Sequence, residues 1–207
     1  MRKHHVTSIE SGARALFGFR FIMGTTKLLR ISPHSLVVEL DALEAIMGRR
    51  SIRKYTGEKL PDEDIEVLLR AAMNAPSGHN RQPWHFIVVD DRGILDKIPG
   101  YHPYAKMLDK ASHGIVVLGD HKVQETDFWI HDCAAAIENI LIAAHAKGLG
   151  AVWLGVHPSK ALIKETKELL GVPDHVTPLG IVSLGVPAEE KAPRDNYNLE
   201  RVHWNKW

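Results

Sequence analysis

The stretch DCAAAIENILIAAHAKGLGAVWLG, residues 132–155, decides the fold of this protein. Its first part continues an apolar segment that begins at Phe128, and its last part has the β-branched and aromatic composition of a strand. Gly148 separates the two parts and is the residue type that ends helices in a left-handed conformation. The residues that recur at helical spacing are Ile130, Ala134, Ile137, Leu141 and Ala144. We therefore predict a long helix over 128–147 that leads directly into a strand over 151–156.

Further helices and strands flank this unit on both sides. Apolar residues at helical spacing predict helices over 40–47, 62–74 and 159–170. Short β-branched runs predict strands over 85–89, 114–118 and 177–185. Because these elements are interspersed without a regular βαβ series, we predict an α+β fold.

The composition of the chain limits the kinds of partner that we expect it to bind. The chain has 207 residues and a formal net charge of +1, so no overall charge draws it to nucleic acid or to a membrane surface. No apolar run is long enough to form a membrane-spanning helix. Cys133 is the only cysteine, which excludes an intrachain disulfide and fits a reducing compartment. We expect a cytoplasmic protein that binds neither nucleic acid nor membrane.

Residues 1–40 differ in composition from the rest of the chain. They are rich in basic and apolar residues and poor in acidic ones. An arm that packs on a partner, a targeting peptide and a sequence upstream of the true start are all compatible with this pattern. The expected organisation is thus an N-terminal extension of unknown role, 1–40, followed by one domain, 41–207.

The segment RRSIRKY, residues 49–55 and called here the basic segment, places four cations within six residues. Guanidinium groups match phosphate oxygens in charge and geometry, which favours a phosphate site. A solvated basic loop is an equally good interpretation of this segment alone.

Two further segments carry candidate binding groups. The stretch APSGHNRQPW, residues 75–84 and called here the turn segment, combines a bent backbone with amide and hydroxyl side chains. The stretch GLGAVWLGVHP, residues 148–158, opens with G-x-G but fails the dinucleotide fingerprint, because Trp153 stands where the third glycine would fall. Taken alone, the first segment is explained equally well as a rigid turn, and the second as an ordinary strand.

Four segments, taken together and in order, resemble those of the FMN-dependent nitroreductase family. They are the basic segment, PSGHNRQPWHFIVV, the helix–strand unit and a late arginine in APRDNY (192–197). The resemblance covers 41–207. It implies a three-layer sandwich with a mostly antiparallel central sheet flanked by helices, in an intertwined homodimer. It also implies two FMN sites at the subunit interface, with the C-terminal segment crossing to the partner.

The resemblance also implies roles for particular residues of this chain. Arg49, Arg50 and Ser51 would hold the FMN phosphate and ribityl chain, with Arg194 as a late phosphate contact. Arg53 would reach the N1/O2 edge of the flavin. The cofactor contacts expected from the turn segment of the other subunit are Pro76, Ser77, Gly78 and Asn80. The backbone around Leu154 and Gly155 would face flavin N5, and Lys106 corresponds to a basic flavin contact of some relatives.

The activity implied by the resemblance is reduction of nitroaromatics, quinones or similar small-molecule acceptors by NADH or NADPH. Both substrates would use one flavin face in turn, which is ping-pong kinetics. The flavin carries the chemistry, so no catalytic residue is predicted. The candidate substrate contacts are Tyr101, Tyr104, Phe128 and Trp129. Three alternatives stay open: a flavin-dependent dehalogenase, an FMN-fragmenting enzyme and a non-catalytic flavin-binding protein.

The histidines and the cysteine raise the question of a metal site or a catalytic thiol, but their spacing does not support either. His131 and Cys133 are two residues apart on a predicted helix and therefore do not share a face. No H-E-x-x-H motif occurs, so no metal site is predicted. The Ala-rich surroundings of Cys133 indicate a buried, inert thiol.

Overall fold

The structure is a computed structural model that describes residues 41–207, so the predicted extension 1–40 lies outside the described residues. The helices are α1 (Ala42–Gly48), α2 (Asp62–Met73), α3 (Arg92–Leu95), α4 (Ile98–Tyr101), α5 (Phe128–Ala146) and α6 (Lys160–Leu170). The strands are β1 (Trp84–Val89), β2 (His113–Asp120), β3 (Gly150–Gly155) and β4 (Val176–Gly185). Short 3₁₀ turns lie at Gly78–Asn80, Lys106–Asp109 and Leu199–Arg201.

The strands form one antiparallel sheet in the order β1-β2-β4-β3. The central strands β2 and β4 are buried along almost their whole length, which explains their continuous apolar runs. Strand β3 is the last strand of the sheet and pairs with β4 from Gly150↔Gly185 to Gly155↔Gly180, and its other side carries a single bridge, Ser51↔Ala151, among residues 41–207. The predicted α+β class with a mostly antiparallel sheet is therefore confirmed.

Helices cover both faces of the sheet, which gives three layers. On one face, α2 and α5 pack through residues such as Leu68 and Ile137 against Val117 of β2 and Val182 of β4. On the other face, α3, α4 and the segment that follows pack against the alternate residues of the same strands. The buried residues of this second core include Leu95, Ile98, Leu108, Val116 and Ile181. The helical turns between β1 and β2 were not predicted, because each is only four residues long.

Helix α5 ends as its sequence predicts. Gly148 has φ 74°, the Leu149 amide donates to the Ala144 carbonyl at 2.8 Å and the Gly148 amide donates to His145 at 2.9 Å. This pair of bonds is a Schellman motif. The predicted buried stripe was only partly right, because Ile130 and Ala134 are half-buried. The fully buried positions are Trp129, Asp132, Cys133, Ala136, Ile137, Ile140, Leu141 and Ala144.

Helix α1 forms as predicted, but its apolar residues do not face the core. Asp41 caps the helix by accepting hydrogen bonds from the Leu43 and Glu44 amides. The side chains of Leu43, Ile46 and Met47 are 70%, 52% and 66% exposed in the single chain. An apolar helix face left open in this way is typical of a surface that meets another protein.

Candidate functional site

The basic segment is fixed to the sheet by its backbone. The Ile52 amide donates to the Ala151 carbonyl of β3 at 3.0 Å, and the Thr56 amide donates to the Val186 carbonyl at 3.0 Å. The Arg53 amide donates to the Glu189 carboxylate at 2.6 Å. Because both ends are anchored, the segment displays its side chains from a rigid frame.

The buried side chain of Tyr55 also holds the basic segment in place. Its hydroxyl donates to the Ile52 carbonyl at 2.9 Å and accepts from the Ser183 hydroxyl at 2.9 Å. A Cβ at Gly185 would lie only 2.9 Å from the tyrosine ring, so glycine leaves the space in which the ring sits. Burial raises the pKa of Tyr55 to about 12, and the hydroxyl therefore remains protonated at neutral pH.

A cavity of about 660 Å³ opens above the basic segment. Five basic side chains and one carboxylate, that of Asp195, line it. The lining residues are Ile46, Met47, Arg49, Arg50, Ser51, Arg53, Lys191, Arg194, Asp195, Asn196 and Tyr197. Such an excess of cations in a concave site attracts an anionic ligand. We call it the basic cavity.

The basic cavity brings together five of the predicted cofactor residues and adds one cation, Lys191, that the sequence did not indicate. Lys191, which lies 140 positions beyond Ser51, donates from Nζ to the Ser51 carbonyl at 2.6 Å. It also contacts the Glu189 carboxylate at 3.1 Å. The pKa of Glu189 is lowered, first by the hydrogen bond from the Arg53 amide and then by Lys191. Glu189 thus fixes two elements of the cavity wall as a stable anion.

Two arginines of the basic cavity are held by other parts of the chain. The Arg50 Nη1 donates to the Ala192 carbonyl at 3.0 Å, which ties the basic segment to the C-terminal segment. The Arg49 Nε lies 3.1 Å from the Glu138 carboxylate of α5. The hydrogen bond orients the Arg50 guanidinium before any ligand binds, which reduces the entropy lost on binding. The Arg49 Nε is buried and has the ion-pair contact without a hydrogen bond.

The turn segment lies outside the basic cavity. Its backbone is strongly bent, with φ of 53° at His79, 55° at Asn80 and 50° at Gln82. The Ser77 hydroxyl accepts the Gln82 amide at 3.0 Å. Within one chain, Pro76, Ser77, Gly78 and Asn80 therefore do not join the five predicted residues that surround the cavity.

Helix α5 supports the turn segment through a buried carboxylate. The Gly78 amide donates to Asp132 Oδ1 at 2.8 Å, and Asp132 is only 4% exposed. Asp132 and Glu138 are six residues apart, which is about 9 Å along a helix. One helix thus holds the turn segment near its start and Arg49 further along. Sequence reasoning missed Asp132, although an acid directly before the apolar run Cys133–Ile137 is a detectable signal.

The outer side of β3, called here the free edge, presents main-chain groups rather than side chains. The Val156 amide donates to the Leu179 carbonyl at 3.0 Å, which makes these residues a hydrogen-bonded pair across β3 and β4. Because such pairs alternate with non-bonded ones, Trp153 and Gly155 direct their amides and carbonyls away from β4. Leu154, by contrast, directs its main-chain groups at β4, and its side chain is buried.

The four aromatic candidates for substrate contact differ in accessibility. Trp129 is 4% exposed and lies edge-on between the rings of His121 and His157. Tyr101 is half-buried, and its hydroxyl lies 3.2 Å from that of Thr166. Tyr104 and Phe128 are 76% and 50% exposed and are the two rings free to meet a ligand. Lys106 is exposed in a 3₁₀ turn.

Other kinds of site find little support in the described part of the chain. Burial raises the pKa of the Cys133 thiol to about 12, so that thiol is not a nucleophile. Among residues 41–207, no group of three or more histidine, cysteine, aspartate or glutamate residues is arranged to hold a metal ion. No helix in the same range has both the length and the apolar character needed to cross a membrane.

The three-layer fold, the basic cavity and the free edge together describe an α+β protein whose cationic cavity suits an anionic ligand. Comparison with known proteins makes this more specific. The sequence model of the Nitroreductase family matches residues 46–125 and 100–186. The chain belongs to the nitroreductase family.

Individual relatives agree with this membership. The chain is 42% identical over 189 residues to a Methanothermobacter thermautotrophicus protein named "Putative NADH dehydrogenase/NAD(P)H nitroreductase", which covers 90% of this chain and 99% of the relative. A crystal structure from Parabacteroides distasonis under the same name matches with a TM-score of 0.78 and 41% identity, over 80% and 98% of the two chains. The FMN-dependent nitroreductase of Clostridium difficile matches with a TM-score of 0.75 and 31% identity, over 80% and 99%.

Proposed function

We propose that this protein is an NAD(P)H-dependent FMN oxidoreductase that reduces nitroaromatics, quinones or similar small molecules by a ping-pong mechanism. Residues 41–207 would form its FMN-binding domain. The observation that carries the proposal is the basic cavity, in which five cations oppose one carboxylate and whose Ser51 bridges to β3 at Ala151. A relative with the same fold is named an FMN-dependent nitroreductase.

The donors of the basic cavity fit the phosphate and ribityl chain of FMN. Arg49, Arg50 and Arg194 provide guanidinium groups, which bind phosphate oxygens in pairs. The Ser51 hydroxyl adds a smaller donor and acceptor. Lys191, which the structure places in the same wall, would add a fourth cation near the phosphate.

The ring of the flavin would lie along the free edge. Arg53 would face the N1/O2 edge, where a cation favours the reduced and negatively charged flavin. The Gly155 amide points outward, and a Cβ built on this residue would meet no atom within 4 Å. The outward main-chain groups of Gly155, next to Leu154, are therefore open to close approach by a flat ligand. Bound FMN would supply the chemistry, accepting hydride from NAD(P)H and passing electrons to the acceptor.

We also propose a homodimer in which each site draws on both subunits. The turn segment would reach the partner's basic cavity through Pro76, Ser77, Gly78 and Asn80, since these residues lie outside the cavity of their own chain. Exposed apolar groups provide a surface for this assembly. They are Leu43, Ile46 and Met47 of α1 and Tyr197, Leu199, Trp204 and Trp207 of the C-terminal segment. A cytoplasmic location stays a prediction.

The test begins with an absorbance spectrum of the purified protein, with and without reconstitution with FMN. Anaerobic NADH or NADPH is then added, followed by a quinone or a nitroaromatic. Bleaching of the flavin bands and their return with the acceptor is the expected result. Flavin that stays oxidised would favour a non-catalytic flavin-binding protein. If no flavin binds at all, the proposed function is wrong.

A further inference from the structure

His102 is a buried histidine whose two ring nitrogens are both engaged. Its Nε2 lies 3.0 Å from the Gly155 carbonyl, and its Nδ1 lies 3.3 Å from the Tyr104 amide nitrogen. The side chain is only 2% exposed. A backbone amide donates and never accepts, so Nδ1 is the acceptor. Nε2 therefore carries the hydrogen and donates it to Gly155, which fixes the neutral tautomer.

This hydrogen bond falls on the free edge of β3. The Gly155 carbonyl points away from β4, as does the Ala151 carbonyl, which accepts the Ile52 amide at 3.0 Å. The two anchors are four residues apart, or about 13 Å along a strand. Between these two anchors, the amides of Trp153 and Gly155 donate no hydrogen bond to any group outside the sheet among residues 41–207. His102 and Ile52 therefore bracket a window of free main-chain donors.

Gly155 needs such an anchor more than its neighbours do. Leu154 is held by a buried side chain, whereas Gly155 has none and would meet no atom within 4 Å of an added Cβ. Glycine also has the widest backbone freedom of any residue. Strand pairing directs the Gly155 carbonyl towards the free edge, and the hydrogen bond from His102 Nε2 holds it there.

The same ring also holds an exposed aromatic residue near the window. The centroids of the His102 and Tyr104 rings are 6.4 Å apart, and the Tyr104 backbone is tied to Nδ1. Ala105, the next residue, is fully buried and its amide donates to the His102 carbonyl at 3.1 Å. The backbone under Tyr104 is thus fixed on both sides, while its ring is 76% exposed.

We propose that His102 is a positioning residue for the flavin ring and for the substrate that stacks on it. Its Nε2–H orients Gly155 at the end of the window, and its Nδ1 holds Tyr104 at the mouth of the same site. The inference rests on the proposed function, because it assigns the window to the flavin ring. His102 contacts neither reactant and acts only through Gly155 and Tyr104.

Two substitutions separate the two hydrogen bonds of His102. His102→Gln keeps a donor near the position of Nε2 but removes the acceptor for Tyr104. His102→Asn keeps an acceptor near the position of Nδ1 but removes the donor to Gly155. His113→Asn is the matched control, because His113 is equally buried at 2% exposure and contacts Ser112 rather than the free edge.

Four measurements are made on each protein: FMN affinity, the flavin absorption spectrum, melting temperature, and kcat and KM for NADH and for a quinone. We expect His102→Asn to shift the flavin spectrum and to lower kcat for flavin reduction about tenfold, with FMN affinity within about threefold of wild type. We expect His102→Gln to restore the spectrum and kcat but to raise KM for the quinone. His113→Asn should lower only the melting temperature.

Two results would overturn the inference while leaving the proposed function intact. One is a His102→Asn enzyme with wild-type spectrum and kcat. The other is a set of changes shared equally by His102→Asn and His113→Asn, which would indicate a structural role alone. A readout without flavin is the ¹⁵N NMR spectrum of the histidine rings in the apoprotein, where a protonated Nδ1 on His102 would also overturn it. A wild-type protein that binds no FMN would instead remove the proposed function, and this inference with it.

Discussion

The basic segment and the turn segment are both assigned to one cofactor, but the fold holds them in different ways. The basic segment is fixed through its backbone, which bonds to β3 and to the chain after β4. The turn segment has few such bonds and depends on the carboxylate of Asp132, a side chain of α5. We therefore expect the loss of Asp132 to disturb the turn segment more than the loss of one ligand-facing side chain disturbs the basic segment.

The largest effect is expected for Arg49→Ala. It should lose bound FMN, with affinity reduced by about three orders of magnitude, or about 4 kcal/mol, because a phosphate partner is removed and Glu138 is left unpaired. The melting temperature should change little, since the backbone bonds of the basic segment remain. Fluorescence titration with FMN measures the affinity. Arg70→Ala, which removes an exposed arginine paired with Glu66, is the control and should bind normally. Stoichiometric FMN in Arg49→Ala would contradict its phosphate role.

A mixed dimer tests whether the two regions meet across subunits. An Arg49→Ala chain and an Asn80→Gly chain, each first checked as a homodimer for the expected loss of FMN, would be co-expressed with different tags and purified as the heterodimer. Glycine is chosen because Asn80 has φ 55°. If each site combines the basic segment of one subunit with the turn segment of the other, one site is intact and about half an FMN per chain is bound. A heterodimer without flavin would show that each site lies within one chain.

Tyr55 is expected to make the basic segment sensitive to alkali. Its pKa is about 12 in the folded protein against 10.0 for an unperturbed tyrosine. As pH rises, the unfolded chain releases this proton before the folded protein does. The contribution of Tyr55 to the free energy of unfolding is therefore fully present below pH 10 and falls as pH rises from 10 towards 12. The loss from this residue is about 3 kcal/mol at most. Urea unfolding at pH 9 and pH 11 measures it. Tyr55→Phe should remove this part of the slope, and an unchanged slope would contradict the prediction.

Asp132→Ala should destabilise the protein by about 2 kcal/mol, because the Gly78 amide is left without its partner. Asp132→Asn keeps a carbonyl acceptor and should lose less. Hydrogen exchange of the Gly78 amide locates the effect, since it should speed up in Asp132→Ala more than amides of the basic segment do. Equal acceleration in both segments would show that Asp132 supports the whole fold rather than the turn segment.

The smallest effect on a single chain is expected for Leu43→Ser. This side chain is 70% exposed, so the free energy of unfolding of a monomer should change by less than about 0.5 kcal/mol. If α1 forms part of the dimer interface, the dimer should nevertheless dissociate at higher concentration than wild type. Sedimentation at several concentrations measures this, with Lys160→Ser on α6 as an exposed control. An unchanged dimer would place the interface elsewhere.

Local pattern allowed much of the architecture to be predicted. The four strands and the longer helices could be predicted from the spacing of their apolar residues and from the residues at their ends, all within about 20 positions. Gly148, which ends α5, is an example. The buried face of α5 was harder, because the helix is apolar around most of its circumference and period alone does not choose a face. The exposed face of α1 was not predicted for the opposite reason, since an amphipathic pattern does not say what covers it.

Sequence pattern alone was enough to predict the α+β class, the positions of the main elements and the density of cations in the basic segment, because each depends on neighbouring residues. Which distant groups complete the site depends instead on how the chain packs in three dimensions. Lys191 reaches Ser51 across 140 positions, Asp132 reaches Gly78 across 54 and His102 reaches Gly155 across 53. No local periodicity encodes such contacts, because each arises from how the layers pack and from which carbonyls the strand pairing leaves on the free edge.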